Sequence, residues 1–196
     1  SSWFETDDAH VNILNRGDLS SLTWLQSPVI PKENINDPNY DTCTVHYASL
    51  NFRDIMLATG KLSPEAIPGY LKMQGCLLGL EFAGVNSSNE RVMGLLSAKG
   101  LATQVAIDKR YSWRVPENWS LEQASTIPVV YSTAYYALVV RGQLKRGEKV
   151  LIHAGTGGVG TAAIAIAFSY DCEVFTTVSS NDKREYLKKL FPRLND

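Results

Sequence analysis

A glycine-rich turn between an apolar run and a helix of small residues constrains this sequence more than any other feature. The run Lys149–His153 is typical of a buried parallel strand, and the turn Gly155–Gly160, with the sequence GTGGVG, follows it. A helix is predicted from there to about Tyr170, then a β-rich run over Glu173–Val178 and a second helix over Asp182–Leu190. Strands that alternate with helices in this way form a parallel sheet with crossover helices.

The turn satisfies the pattern Gly-x-Gly-x-x-Gly in the context that this pattern requires, after a strand and at the start of a helix. Gly155 allows the tight turn, Gly157 lets the backbone approach a pyrophosphate, and Gly160 lets the helix pack close to the strand. The helix N-terminus offers unpaired N–H groups and the positive end of its dipole. We therefore expect the whole loop to bind a dinucleotide, including Thr156, Gly158 and Val159. The alternative is a glycine-rich turn without a ligand.

The residues after the second strand favour NADPH over NADH. An NAD site places Asp or Glu about 20 residues after the glycines to hold the ribose hydroxyls, whereas this chain has Ser179 and Ser180 there, with Lys183 and Arg184 next. Hydroxyls and two cations suit a ribose 2′-phosphate. Two alternatives stay open: the cations are only the solvated first turn of a helix, or a small shift in register brings Asp182 to the ribose.

Composition argues against several classes of protein. A formal net charge of −1 argues against nucleic acid as the main partner, because phosphate binding needs a surplus of Lys and Arg. The sequence has no run of about 18 apolar residues, so we expect no membrane span. The cysteines Cys43, Cys76 and Cys172 are scattered, as are the histidines, so we expect neither a disulfide framework nor a metal site.

The front of the chain differs in pattern from the back. Residues 1 to about 115 show short strands and turns, with a short helix predicted over Phe52–Thr59. The predicted strands include Gly79–Val85, Arg91–Leu96 and Leu101–Ile107. After Pro116, Ser120 and Gln123 fit a capping box, and a further helix is predicted over Thr133–Val140. We therefore predict a β-rich domain over residues 1–126 and an α/β domain over residues 127–196.

The order of these motifs resembles that of the medium-chain dehydrogenases/reductases. The likeness is carried by Asn51-Phe52-Arg53-Asp54, Gly79-Leu80-Glu81-Phe82-Ala83-Gly84, Val92-Met93-Gly94, the segment Pro128–Leu138 and the glycine loop. Zinc-dependent members have His between the Gly and Glu of their motif, where this chain has Leu80. Within the superfamily, residues 47–64 and 139–142 most resemble the enoyl reductase of animal-type fatty acid synthase. Polyketide synthase enoyl reductases are the nearest alternative.

The resemblance implies a mixed β and α/β architecture. A GroES-like, β-rich substrate domain is followed by the first part, two strands and two helices, of a Rossmann dinucleotide-binding domain. A complete Rossmann domain uses roughly six strands, and residue 1 is not Met. We therefore expect the chain to be a segment of a multifunctional polypeptide and inactive in isolation. The resemblance also implies other synthase domains in the same polypeptide, a homodimeric parent and a cytoplasmic location.

The activity that the resemblance implies is NADPH-dependent reduction of trans-2-enoyl thioesters, carried on acyl carrier protein, to saturated acyl thioesters. By the same resemblance Val130 and Thr133 lie by the nicotinamide, although helix packing is an alternative for both. The candidate cleft residues are Asn51, Asp54 and Lys61, with helix capping as the alternative for the first two. The family's proposed proton donors belong to later segments, so no catalytic acid is assigned. A non-catalytic, NADPH-binding, quinone-reductase-like protein is the alternative function.

Overall fold

The computed structural model describes residues 5–26, 37–66 and 76–194 of the 196-residue chain. The chain divides into two compact units, residues 1–128 and residues 129–196, which we call unit 1 and unit 2. Unit 1 is rich in antiparallel strands, whereas unit 2 alternates parallel strands with helices.

Unit 1 contains seven strands and two short helices among its described residues. The strands are β1 (Ala9–Ile13), β2 (Leu22–Gln26), β3 (Tyr40–Tyr47), β4 (Glu81–Asn86), β5 (Arg91–Leu95), β6 (Gln104–Asp108) and β7 (Ser112–Arg114). The helices are α1 (Phe52–Ala58) and α2 (Leu121–Ala124). Five strands form one antiparallel sheet in the order β6-β3-β4-β5-β7, and β1 pairs with β2 in a separate hairpin. The predicted strands correspond to β4, β5 and β6, and the predicted helix to α1.

Strands β5 and β6 of the five-stranded sheet bury every second side chain, as the two-residue period of a strand predicts. In β6, Val105 and Ile107 are buried while their neighbours are half-buried. Phe82 of β4, fully buried, joins them in one apolar cluster. This cluster fixes β4, and β4 carries Glu81, whose side chain belongs to the polar network described below.

Unit 2 has the strand–helix–strand–helix order that the sequence predicts. Its strands are β8 (Lys149–Ile152) and β9 (Glu173–Thr176), which pair in parallel. Its helices are α4 (Gly158–Ser169) and α5 (Asn181–Leu190). A third helix, α3 (Pro128–Tyr135), precedes them and continues as a π-helix over Tyr136–Arg141. The first parallel βαβ unit therefore surrounds the glycine loop.

Helix α4 packs on the rest of unit 2 through small residues. Ala162, Ala163 and Ala167 are buried on it, and Ile164 is fully buried. The same cluster contains Leu187 of α5. Alanines keep the helix slim, so its backbone approaches the strands closely and its N-terminus is held beside the loop.

The structure differs from the predicted element boundaries in three places. The helix predicted over Thr133–Val140 begins earlier, at Pro128, because proline is favoured in the first turn of a helix. Its last part is a π-helix, which no local pattern signalled. The strands β1, β2 and β7 were not individually predicted. The β1 strand, for example, bonds to a segment distant in sequence, where the Val11 N–H donates to the Leu101 carbonyl at 2.7 Å.

Candidate functional site

The glycine loop joins the end of β8 to the start of α4. Ala154 lies in the left-handed region at φ 54°, and Gly157 is the N-cap of α4 with an extended backbone. The Thr161 N–H donates to the Gly157 carbonyl at 2.8 Å and so begins the helical bonding. The N–H groups of Gly158, Val159 and Gly160 precede that bond, and no side chain caps the helix at Gly157. These amides lie at the N-terminus of the helix, where the sequence predicts that an anion binds.

The outer glycines of the motif are required by packing alone. A Cβ on Gly155 would overlap the Thr176 hydroxyl and lie 3.0 Å from Leu187 Cδ1. A Cβ on Gly160 would overlap the Ala154 carbonyl oxygen and lie 2.8 Å from Gly155 Cα. These two glycines therefore let the strand, the loop and the helix pack tightly, with or without a ligand.

Gly157 has no such packing requirement. A Cβ there would lie 3.4 Å from the Ala154 carbonyl oxygen, with no other atom within 4 Å among the described residues. Its φ of −72° is available to any residue, and it is exposed. The fold of unit 2 thus gives no reason for glycine at this position. A ligand that approaches the backbone closely does give one, which is the role assigned to the middle glycine of the motif.

The other predicted loop residues surround this opening. Val159 is 44% exposed, and Thr156 is half-buried. Val130 of α3 packs against the loop, since a Cβ on Gly158 would lie 2.9 Å from Val130 Cγ1. Thr133, one turn further along α3, is exposed. Val130 is therefore brought to the loop by the fold of unit 2, while Thr133 has no partner that places it there among the described residues.

The end of β9 brings a serine and a lysine together. Lys183 Nζ donates to Ser179 Oγ at 2.9 Å, and both side chains are exposed. Ser180 is the N-cap of α5, with its hydroxyl accepting the Lys183 N–H at 3.4 Å. Asp182 is exposed in the first turn of α5. The residues predicted to bind the 2′-phosphate thus include the hydrogen-bonded pair Ser179 and Lys183 and the helix cap Ser180, near the carboxyl end of β9.

Arg184 takes a different direction from Lys183. It lines a cavity of about 780 Å³ beside β9, together with Thr177 and Val178. Lys188, Arg193 and the acidic residue Glu173 line the same cavity. The Arg193 guanidinium lies 4.5 Å from the centre of the Phe168 ring and donates to the Phe168 carbonyl at 3.1 Å. Of the two neighbouring cations of the predicted site, Arg184 therefore lines this cavity, whereas Lys183 bonds to Ser179.

The side chains of Asn51 and Asp54 are used by the fold of unit 1. Asp54 is 2% exposed; one carboxylate oxygen accepts the Asn51 N–H at 2.9 Å and the other accepts the Gly79 N–H at 2.9 Å. Asn51 Nδ2 donates to Glu81 Oε1 at 2.9 Å, and Glu81 is 1% exposed. These bonds cap α1 and tie it to the start of β4, which is the structural alternative for both residues.

Arg53 extends this network on the other side of α1. Its Nη2 donates to the carbonyls of Leu77 at 3.2 Å and Ser97 at 2.8 Å, and its buried Nε has no hydrogen-bond partner among the described residues. Burial lowers the pKa of the guanidinium below its ordinary value, and nearby Asp54 opposes that shift. Lys61, the third candidate cleft residue, is exposed after α1.

Two polar residues beside the glycine loop, His153 and Thr177, contact each other, which the sequence did not signal. His153 is exposed, and its Nδ1 lies 3.1 Å from the hydroxyl of Thr177. That hydroxyl also accepts the Ala154 N–H at 3.2 Å. The only available signal was that both residues follow a strand, where a parallel sheet collects its functional groups.

Residues 5–26, 37–66 and 76–194 lack two kinds of feature. No group of three or more His, Cys, Asp or Glu side chains is placed to hold a metal ion there. No helix in that part of the chain is both long and apolar enough to cross a membrane.

Known proteins similar to this chain are large synthases and reductases. No protein-family model matches the chain. A highly reducing polyketide synthase of Penicillium oxalicum, poxF, is 34% identical over 192 residues, which cover 92% of this chain and 7% of the synthase. The reducing polyketide synthase rdc5 of Metacordyceps chlamydosporia is 36% identical over 149 residues, which cover 75% of this chain and 6% of that synthase. The lovastatin diketide synthase mokB of Monascus pilosus is 39% identical over 143 residues, which cover 70% of this chain and 6% of that synthase. They agree better with the polyketide synthase alternative than with a fatty acid synthase.

Solved structures extend the likeness to the fold. The enoyl reductase CurK superposes with a TM-score of 0.83 and 29% identity, over 94% of this chain and 58% of that chain. The quinone oxidoreductase of Thermus thermophilus, also determined in complex with NADPH, gives a TM-score of 0.71 and 32% identity over 90% of this chain and 55% of that chain. The chain thus spans little more than half of each of these structures.

The predicted mixed architecture is confirmed, and the comparisons support the coarse family interpretation of the sequence. An antiparallel β-rich unit followed by a parallel βαβα unit matches both structures. These likenesses support the medium-chain dehydrogenase/reductase superfamily as the family of this chain. The two units of the chain are consistent with the GroES-like and partial Rossmann folds of the enoyl reductases and quinone oxidoreductases in that superfamily.

Proposed function

We propose that this chain is part of an NADPH-dependent enoyl reductase in a synthase of the polyketide type. The observation that carries the proposal is the glycine loop with an open middle glycine, in a chain that superposes over 94% of its length on the CurK enoyl reductase. The relatives supply the setting, because the matched segment is only 7% of the poxF polyketide synthase and 6% of the mokB diketide synthase. The enoyl reductase of an animal-type fatty acid synthase, which the sequence motifs alone favoured, is the alternative.

The residues of unit 2 fit a dinucleotide. The amides of Gly158, Val159 and Gly160 would hold the pyrophosphate, since Gly157 leaves room for it beside the backbone. Ser179 and Lys183 would bind the ribose 2′-phosphate, one as a hydroxyl donor and the other as a cation. When bound, the nicotinamide supplies a hydride to the β-carbon of the enoyl thioester. The chain's own part is therefore to bind and orient the two reactants.

The residues of unit 1 support this task indirectly. Asn51 and Asp54 hold α1 against the start of β4, so we propose that they shape the substrate domain rather than exchange protons. No proton donor is assigned to the described residues. We propose the enoyl group to be carried on acyl carrier protein and the other domains of the synthase to be partners within one polypeptide. A homodimeric parent in the cytoplasm remains an expectation from the resemblance.

A second candidate function is reduction of quinones. The specific observation in its favour is the likeness to the Thermus thermophilus quinone oxidoreductase, which at 32% identity exceeds the identity to CurK. The two functions share the dinucleotide site and differ in the electron acceptor. Oxidation of NADPH by a crotonyl thioester and by a small quinone, measured in the polypeptide that contains this segment, separates them. Turnover with the quinone alone would contradict the enoyl reductase proposal.

The cofactor assignment has a direct test in binding. We expect the chain to bind NADPH more tightly than NADH, and Lys183→Met to weaken NADPH about tenfold or more while it leaves NADH nearly unchanged, because a charge-assisted hydrogen bond to the 2′-phosphate is lost. The measurement is a fluorescence titration with each dinucleotide. Lys189→Met, in the last turn of the same helix, is the matched control and should change neither affinity. Equal losses for NADPH and NADH would contradict the 2′-phosphate assignment.

A further inference from the structure

Thr177, the residue after β9, binds the start of the glycine loop at three points. Its N–H donates to the Ile152 carbonyl at 3.1 Å, and its own carbonyl accepts the Gly155 N–H at 3.1 Å. Its hydroxyl accepts the Ala154 N–H at 3.2 Å. The first two bonds are main-chain bonds that any residue could make, whereas the third depends on the side chain.

The third bond holds a residue in an unfavourable conformation. Ala154 lies at φ 54°, a region that side chains with a Cβ adopt rarely unless their surroundings fix it. The Ala154 carbonyl in turn accepts the Gly157 N–H at 3.0 Å. The orientation of Ala154 therefore sets the position of Gly157, the N-cap from which α4 and its free amides begin.

His153 completes the arrangement by orienting the hydroxyl. Because Thr177 Oγ1 accepts from Ala154, its hydrogen must point elsewhere, and His153 Nδ1 lies 3.1 Å away. An imidazole with its hydrogen on Nε2 accepts that hydrogen at Nδ1. Both side chains are exposed, so neither is required to fill the core of unit 2.

We propose that Thr177, oriented by His153, is a positioning residue that holds the glycine loop in the conformation that receives the pyrophosphate of the cofactor. The inference rests on the proposed dinucleotide site and adds two residues to it. Neither residue has to touch the cofactor, because each acts through Ala154. The role concerns the pyrophosphate, which NADPH and NADH share, and not the 2′-phosphate that only NADPH carries.

This separation defines the test. We expect Thr177→Val, which keeps the shape and removes the hydroxyl, to weaken both NADPH and NADH about tenfold, as loss of one hydrogen bond allows. We expect Thr177→Ser to retain wild-type affinity and His153→Ala to lose about two- to fivefold. Binding of 2′-AMP, which has no pyrophosphate, should be unchanged in Thr177→Val but weakened in Lys183→Met. Fluorescence titration serves for the dinucleotides and competition with NADPH for 2′-AMP.

The controls distinguish positioning from general stability. Thr126→Val removes a hydroxyl bond to the Gln123 carbonyl in unit 1 and should change no affinity. Unchanged dinucleotide affinity in Thr177→Val, or an equal loss for 2′-AMP, would overturn the positioning role while the dinucleotide site stands. If the wild-type chain binds neither dinucleotide, the proposed function fails and this inference fails with it. If Thr177→Val does not fold, His153→Ala decides, and unchanged affinity there overturns the proposal.

Discussion

The polar network around α1 and the glycine loop of unit 2 use their hydrogen-bonding groups in opposite ways. In the network, both Asp54 carboxylate oxygens accept backbone N–H groups, and the Asn51 amide is bound to Glu81. In the loop, successive amides at the start of α4 precede the first helical bond, beside a glycine with open space. In the first region the polar side chains hold the fold together, whereas in the second the backbone amides are available to a ligand.

This difference teaches how to interpret polar motifs in such a chain. The Asn51–Asp54 motif is specific enough to support a family resemblance, yet its conspicuous side chains have structural partners. Replacing a residue whose polar groups are already paired within the fold lowers the free energy of unfolding. Replacing a residue whose polar groups are unpaired and exposed lowers the affinity for a ligand instead. Substitutions in the two regions should therefore separate these two quantities.

The largest effect is expected at Gly155. We expect Gly155→Ala to destabilise unit 2 by at least about 3 kcal/mol, because the added methyl group overlaps the Thr176 hydroxyl and crowds Leu187 and Ile164. Urea unfolding followed by far-ultraviolet circular dichroism measures the change. A stability within about 0.5 kcal/mol of wild type would show that the tight packing of this loop has been misjudged.

A smaller loss of stability is expected in unit 1. Asp54→Ala leaves the buried N–H of Gly79 and the half-buried N–H of Asn51 without their partner, so we expect a loss of about 2 kcal/mol. All four tryptophans lie in residues 1–128, so tryptophan fluorescence during urea unfolding follows this unit. Asp7→Ala, at an exposed position, is the control and should change stability by less than about 0.5 kcal/mol. Near-equal results for the two variants would contradict the structural role of Asp54.

The smallest change in stability is expected at Gly157, with a large change in binding. Alanine is a poorer N-cap than glycine, but it reduces the entropy of the unfolded chain, so Gly157→Ala should keep stability within about 0.5 kcal/mol. The methyl group would occupy the space where the pyrophosphate approaches the backbone, and NADPH affinity should fall at least about tenfold. The same unfolding assay and a NADPH titration check both halves. Unchanged affinity would remove the main reason for regarding this loop as a ligand site.

The sequence predicted the region that depends on local pattern better than the region that depends on distant contacts. The order of β8, α4, β9 and α5 follows from apolar runs, a glycine turn and helix signals that are neighbours in sequence. The β1 strand was missed because its partners come from β2 and from residues near 101–103. Register across such distances depends on which faces become buried, and no local pattern records it.

The sequence by itself determined the order of strand, glycine loop and helix, the mixed fold class and the presence of serines and cations after β9. It could do so because glycine spacing, periodicity and charge act over short distances. Only the tertiary structure decided that the side chains of Asn51 and Asp54 bond within the fold. It also decided that Lys183 contacts Ser179 while Arg184 lines the cavity beside β9. The hydrogen bond between Thr177 and Ala154 likewise appears only in the folded chain. These assignments depend on which groups meet after the chain has folded. A polar residue has the same identity in the sequence whether its hydrogen bonds are used by the fold or left for a ligand.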